Sequence, residues 1–337
     1  MMAGKGGAGP CLLYVGTDDG VRVVRFEGPA RLTPAGDGLA GKAVRGIAVH
    51  PEQAQVAYVA CRLRGWGLHR TGDAGRTFET LGFEDRWVWD VAFHPGDPQR
   101  IWVGTEPPML YVSSDAGRTF VPLPGIDALP SRPRWKFFHP PFYAGHIHGI
   151  AIHRGRAERI FAGVEHGAFI YSHDGGRTWS EALVGYDLHR VAIDPQDPDR
   201  VLAGAGEGLL ISSDAGRSWV AIDDFQGKYV HAVLFDPHVR RRLFVYAAEQ
   251  GTPLYRSDNN GRTWKTIGRG LPEAGPADNV CAHPGAPDVL FYAGDAEARR
   301  SRLYVSFDAG ETWEPLEASL PKVWRLRSAP WPSQVQA

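Results

Sequence analysis

"SSDAGRSW", residues 212–219, decides the fold because the chain repeats it. TGDAGRTF occupies 71–78, SSDAGRTF 113–120, SHDGGRTW 172–179, SDNNGRTW 257–264 and SFDAGETW 306–313. The common form is Ser-x-Asp-x-Gly-x-Thr-Trp. Thr71 replaces Ser in the first copy and Asn259 replaces Asp in the fifth. The chemistry is that of a tight turn. Asp and Ser side chains hydrogen-bond the turn's own backbone, Gly supplies a positive φ, and Trp or Phe fills the gap between neighbouring sheets. The box aspartates are therefore expected to be structural and not catalytic.

A second pattern precedes the boxes: an apolar strand ending in His/Asp-Pro, a short polar turn, then another apolar strand. Examples are GIAVHPEQAQVAYVA (46–60), DVAFHPGDPQRIWVG (90–104), RVAIDPQDPDRVLAG (190–204) and AVLFDPHVRRRLFVY (232–246). Strand, turn, strand, loop, strand, box, strand makes one four-stranded unit, and boxes recur about every 40–50 residues. The box resembles the Asp-box, or bacterial neuraminidase repeat, of β-propellers, and the resemblance implies that fold. Seven inner strands and seven second strands can be counted. LLYVGTDDG (12–20) has no inner strand before it, and VWRLRSAP (323–330) has no second strand after it. The expectation is all-β: a single seven-bladed β-propeller over residues 11–330, closed by the C-terminal inner strand completing the N-terminal blade. Residues 1–10 read as a flexible N-terminus and 331–337 as a tail.

Composition narrows the function classes. Lys and Arg number 37 against 38 Asp and Glu, so no charge excess favours nucleic acid or an anionic membrane. No apolar run reaches membrane-span length, and the start carries no signal-peptide pattern, so a cytoplasmic location is expected. Cys11, Cys61 and Cys281 lie far apart and read as small buried strand residues.

Aligning the inner strands on their apolar "IA" or "VA" core places Arg45, Trp89, His148, His189, His231, Asp278 and Trp324 at one equivalent position, near the axis at the top mouth. Three imidazoles from adjacent blades predict a divalent transition metal (Zn, Fe, Mn or Cu) on His148, His189 and His231. His146, two residues before His148, is expected at the rim as a fourth ligand. Second strands end in Glu106, Glu165, Glu207 and Glu249 on the same face. Glu165 and Glu249 are expected to orient the ligands or to act as general base. His153 belongs with His50 and His94 in the bottom turns. His69, His139, His173, His238 and His283 read as turn or surface residues.

One connection is longer than the rest, LPGIDALPSRPRWKFFHPPFYAG (123–145), on the top face just before His148. It reads either as an aromatic, cationic binding loop or as an apolar loop packed on the propeller. Arg45, Trp89, Glu106, Trp135, Tyr143, Asp278 and Trp324 are the expected substrate-binding residues, with Arg45 facing a carboxylate.

Three functions fit this pattern. The first is a metal-dependent enzyme on a small organic, anionic or aromatic substrate. Seven-bladed propellers with axial histidines resemble, at the level of fold, carotenoid-cleaving oxygenases and streptogramin lyases. The second is a binding or assembly scaffold with a protein partner, since the repeat texture also resembles photosystem II assembly factors and sortilin-type propellers. The third is a glycoside hydrolase, since Asp-box propellers include sialidases and xyloglucanases. Here the Arg-Ile-Pro motif of sialidases is missing, and xyloglucanases pair two propellers around a cleft.

Overall fold

Each repeat folds as a four-stranded antiparallel sheet, and seven such sheets are arranged as propeller blades. A computed structural model describes residues 8–28, 31–62, 67–248, 254–272, 280–297 and 300–331. The innermost strands are Val323–Pro330, Ala43–Val49, Trp87–His94, His146–His153, Leu188–Asp194, Tyr229–Phe235 and Val280–Ala282. We number the blades one to seven in that order. In blade one the C-terminal strand Val323–Pro330 pairs with Cys11–Thr17, in a register running from Cys11 opposite Pro330 to Thr17 opposite Val323. The ring is thus closed by the two ends of the chain, as the repeat count requires.

The second strands are buried on both faces and read as apolar runs for that reason; all seven residues of Cys11–Thr17 are buried. Between each neighbouring pair of blades lies a separate hydrophobic cluster. The three cysteines are free and buried within strands.

The boxes show the turn chemistry directly. In blade four the Ser172 hydroxyl donates to Asp174 and accepts the Gly176 N–H, while Asp174 accepts the N–H and hydroxyl of Thr178 at 2.9 and 2.7 Å. Asn259 substitutes for Asp without loss: its Oδ1 accepts the Thr263 N–H and its Nδ2 donates to the Thr263 hydroxyl. Two residues per box adopt positive φ, not the glycine alone, as in Ala74–Gly75 and Ala215–Gly216. In the neighbouring turns at the same end of each blade, His50, His94, His153 and His283 each accept a backbone N–H on Nδ1, as Asp194 and Asp236 do with a carboxylate oxygen. His69 departs from expectation. It is a buried strand residue beside Thr80 and not a surface histidine.

Segment 123–145 is mainly packing. It forms single 3-10 turns at Ile126–Ala128 and Arg132–Arg134. Ile126, Leu129 and Trp135 are buried between blades three and four. Trp135 donates from Nε1 to the Ser131 hydroxyl, which is itself tied to Glu181. Trp135 is therefore a loop anchor and not a substrate contact. Tyr143 stays 58% exposed on the outside.

Candidate functional site in the top mouth

Six of the seven aligned positions, Arg45, Trp89, His148, His189, His231 and Trp324, line one cavity of about 190 Å³. The seventh, Asp278, lies outside the described residues, as does Glu249. The backbone device that gathers them is a β-bulge repeated from blade to blade. The ladder skips Arg45, Trp89, His189, His231 and Trp324 in turn. In blade four His148 and Gly149 together face Gly163. A bulge sets two residues against one on the partner strand and re-aims their side chains.

The residue after the bulge lies one step deeper along the axis. There Asp90 accepts the Ile150 N–H and sits 3.7 Å from Arg190 and 3.6 Å from Arg325. Arg325 is fully buried and donates from Nε to the Arg45 carbonyl. This layer forms a charged floor. Asp90 and Arg190 also border a second, lower cavity of about 440 Å³ lined mostly by apolar residues.

The mouth contains other residues that the alignment missed. Arg62 ends the second strand of blade two and pairs with Ala43, just as Glu106 pairs with Trp87 and Glu165 with His146. The second-strand comparison that singled out Glu106 and Glu165 would have found it. Likewise, the positions two residues before the bulges include Asp187 and Tyr229 as well as His146. Phe137, from the long segment, adds a wall, stacked on His166 and edge-on to His146.

His146 is not at the rim. It is fully buried, stacked on Trp89 at 3.5 Å, with Nε2 2.8 Å from Glu165 and Nδ1 3.7 Å from Glu106. Burial holds its imidazole down at about 4, so it is neutral. His148 places Nδ1 3.1 Å from the same Glu165 oxygen. Burial alone would raise the Glu165 carboxyl, but its contacts with His146 and His148 hold it well below the usual range. Glu165 is thus a fixed negative charge in the mouth. Glu106 lies behind Trp89, accepting its Nε1–H at 2.9 Å, and does not border the cavity. Burial pushes its carboxyl up to about 7.

His189 is hydrogen-bonded on one side and faces a carboxylate on the other. Nδ1 donates to the Val230 carbonyl, and Nε2 lies 3.2 Å from Asp187, which also accepts the Tyr229 hydroxyl. Burial opposes a charge here, but Asp187 and Glu165 outweigh it and raise the imidazole above its ordinary value. The charged form, with a proton on each nitrogen, has no lone pair for a metal. Among the described residues, the groups whose ligand atoms lie within 4.8 Å of one another are His146–His148–Glu165 and Glu165–His166–Asp187. His148, His189 and His231 are not such a group among the described residues: their ligand atoms do not all lie within 4.8 Å of one another.

The fixed cations are Arg45 and Arg62, and the raised His189 imidazole favours its charged form. Arg45 stacks on Trp324 at 3.4 Å, and Arg62 on Trp89 at 4.1 Å. Burial lowers the Arg62 guanidinium to about 10, and its Nε has no hydrogen-bond partner.

Comparison with known proteins agrees with this fold. The BNR/Asp-box repeat model matches residues 170–181, and the model described as Sortilin, neurotensin receptor 3 matches 207–334. The xyloglucanase Xgh74A of Acetivibrio thermocellus is 25% identical over 202 residues, 49% of this chain and 22% of its own length. The chain therefore spans about a fifth of that relative. Two solved structures share the fold. An ancestral GH74 enzyme has 16% identity and a TM-score of 0.58, over 85% of this chain and 38% of its own. YCF48 bound to D1 peptide has 17% identity and a TM-score of 0.56, over 81% of each chain. The protein is a seven-bladed β-propeller built of Asp-box repeats. Among its described residues no helix is long and apolar enough to cross a membrane.

Proposed function

We propose that the protein is an enzyme that binds a small anionic, ring-bearing molecule in the top mouth and acts on it by acid–base chemistry, with His189 as proton donor. The observation that carries this reading is the cavity itself. Two stacked guanidinium groups and an imidazole raised by the nearby Asp187 border a cavity with aromatic walls. Its volume of about 190 Å³ is close to that of an apolar cavity of about 150 Å³ that holds benzene, so the ligand is compact. Arginine stacked on an aromatic ring keeps its planar fork oriented for a carboxylate. The Asp187–His189 pair has the form of an oriented, protonated acid.

Benzoate is a suitable probe, with neutral benzamide as control and Trp89 and Trp324 fluorescence as readout. Benzoate should quench and benzamide should not. Arg62→Ala should weaken benzoate about tenfold or more, since a charge-assisted hydrogen bond contributes roughly 1.5–3 kcal/mol. Equal binding of benzoate and benzamide would overturn the reading.

A glycoside hydrolase is the second reading. It is supported by the xyloglucanase relatives and by Glu165 and Asp187, whose oxygens lie within 4.8 Å. Such enzymes need one carboxyl kept protonated, and both of these are held below the usual range. The acid would again have to be His189. Release of reducing sugar from xyloglucan oligosaccharides, lost in Asp187→Asn, would favour this reading over the first. A scaffold with a protein partner, the second function raised by the repeat, would leave the cavity without a role.

A further inference from the structure

We infer that His146, His148 and Glu165 form a binding site for a divalent first-row transition cation, coordinated by two imidazole nitrogens and one carboxylate oxygen. The inference goes beyond the anion pocket and does not depend on it.

Geometry is the first support. His146 Nε2 and His148 Nδ1 lie 2.8 and 3.1 Å from one oxygen, Glu165 Oε2. Ligands about 2.1 Å from a metal and at right angles to each other are about 3 Å apart. Two of the three edges are therefore already spaced as in a coordination sphere, and the third pair, His146 and His148, lies within 4.8 Å. His148 and Glu165 border the cavity, so open positions on the cation would face a bound molecule. Two histidines and one carboxylate with open positions suit Fe(II), and related ions such as Co(II) and Zn(II).

The second support is a mismatch that a cation resolves. With its proton on Nε2, shared with Glu165, His146 presents a bare Nδ1 to Glu106 at 3.7 Å. Nδ1 has no hydrogen-bond partner, and neither does Glu106 Oε1, although both are buried. With Glu106 ionised, an acceptor thus faces an acceptor in a site closed to water. A cation on Nε2 moves the ring proton to Nδ1, where it points at the Glu106 carboxylate. That is the outer carboxylate–histidine–metal arrangement found around metal sites. Glu106 cannot reach the cavity, and in this arrangement it acts as a positioning residue for His146.

The test uses the full chain after chelator treatment. Co(II) is titrated with detection of its visible absorption bands, and Zn(II) by calorimetry. The expected result is one ion per chain. Affinity should fall at least about tenfold in His148→Ala and in Glu165→Gln, two partly exposed positions where folding is checked by thermal melt; should one variant not fold, the other decides. Affinity should stay within about threefold of wild type in His231→Ala and His189→Ala. Absence of stoichiometric uptake of either ion, retention of affinity in the ligand variants, or loss of affinity in His231→Ala overturns the inference. Benzoate titrated in parallel separates the two ideas: benzoate binding without metal uptake removes the cation site and leaves the pocket reading intact.

Discussion

Leu326 sits at the middle of the closing strand, fully buried, opposite Val15 and packed between blades one and seven with Leu13, Leu303 and Val305. Leu326→Ala removes buried methyl groups from a site walled by strands of two blades that cannot collapse inward. The transfer and cavity terms together should cost about 3 kcal/mol. In a chain of this size that lowers the melting temperature by about 6 °C, taking roughly 2 °C per kcal/mol. Urea unfolding at fixed pH gives the free energy directly, and Leu303→Ala in the same cluster provides the comparison. Removing residues from Lys322 onward takes away Val323, Leu326 and Ala329 at once, all buried. It also removes the ladder to Cys11–Thr17. That loss approaches the whole stability of a typical domain, about 5–15 kcal/mol, so the truncated chain should not fold. If Leu326→Ala stays within about 0.5 kcal/mol of wild type, as a surface change does, the C-terminal strand does not close the ring.

Asn259→Asp should change stability by no more than about 0.5 kcal/mol by urea unfolding, because Asn259 already makes both turn bonds of the box. Trp135→Ala should cost about 3–5 kcal/mol, since Trp135 anchors the long segment within the core between blades three and four. The raised His189 imidazole carries its charge below its folded pKa and loses it as pH rises through that value. Benzoate affinity should therefore decline on the alkaline side, and Asp187→Asn should move that decline to lower pH in a titration series.

The box repeat made the architecture legible, because a turn held by its own Asp and Ser side chains leaves a local signature. The aligned mouth positions were legible too, since every blade repeats the same inner strand. Register alone, however, does not say where a side chain points. The bulges that turn Arg45, Trp89 and His189 into the mouth depend on two residues facing one across the ladder, a relation between strands that neither strand encodes alone. The same limit hid His146, whose burial depends on Trp89 of the neighbouring blade and Phe137 of the long segment. It also hid the placement of His189 beside Asp187, which raises that imidazole above its ordinary value. Arg62 stands at the same second-strand position as Glu106 and Glu165, and a pattern of carboxylates alone passes over it.

The most direct measurement of the central claim is a crystal structure of the protein with benzoate at saturating concentration. The account predicts a single benzoate in the top mouth, with its carboxylate within hydrogen-bond reach of Arg62 or His189 and its ring against Trp89 or Phe137. An empty mouth, or benzoate seated instead in the lower cavity beneath the Asp90–Arg190–Arg325 layer, would contradict it.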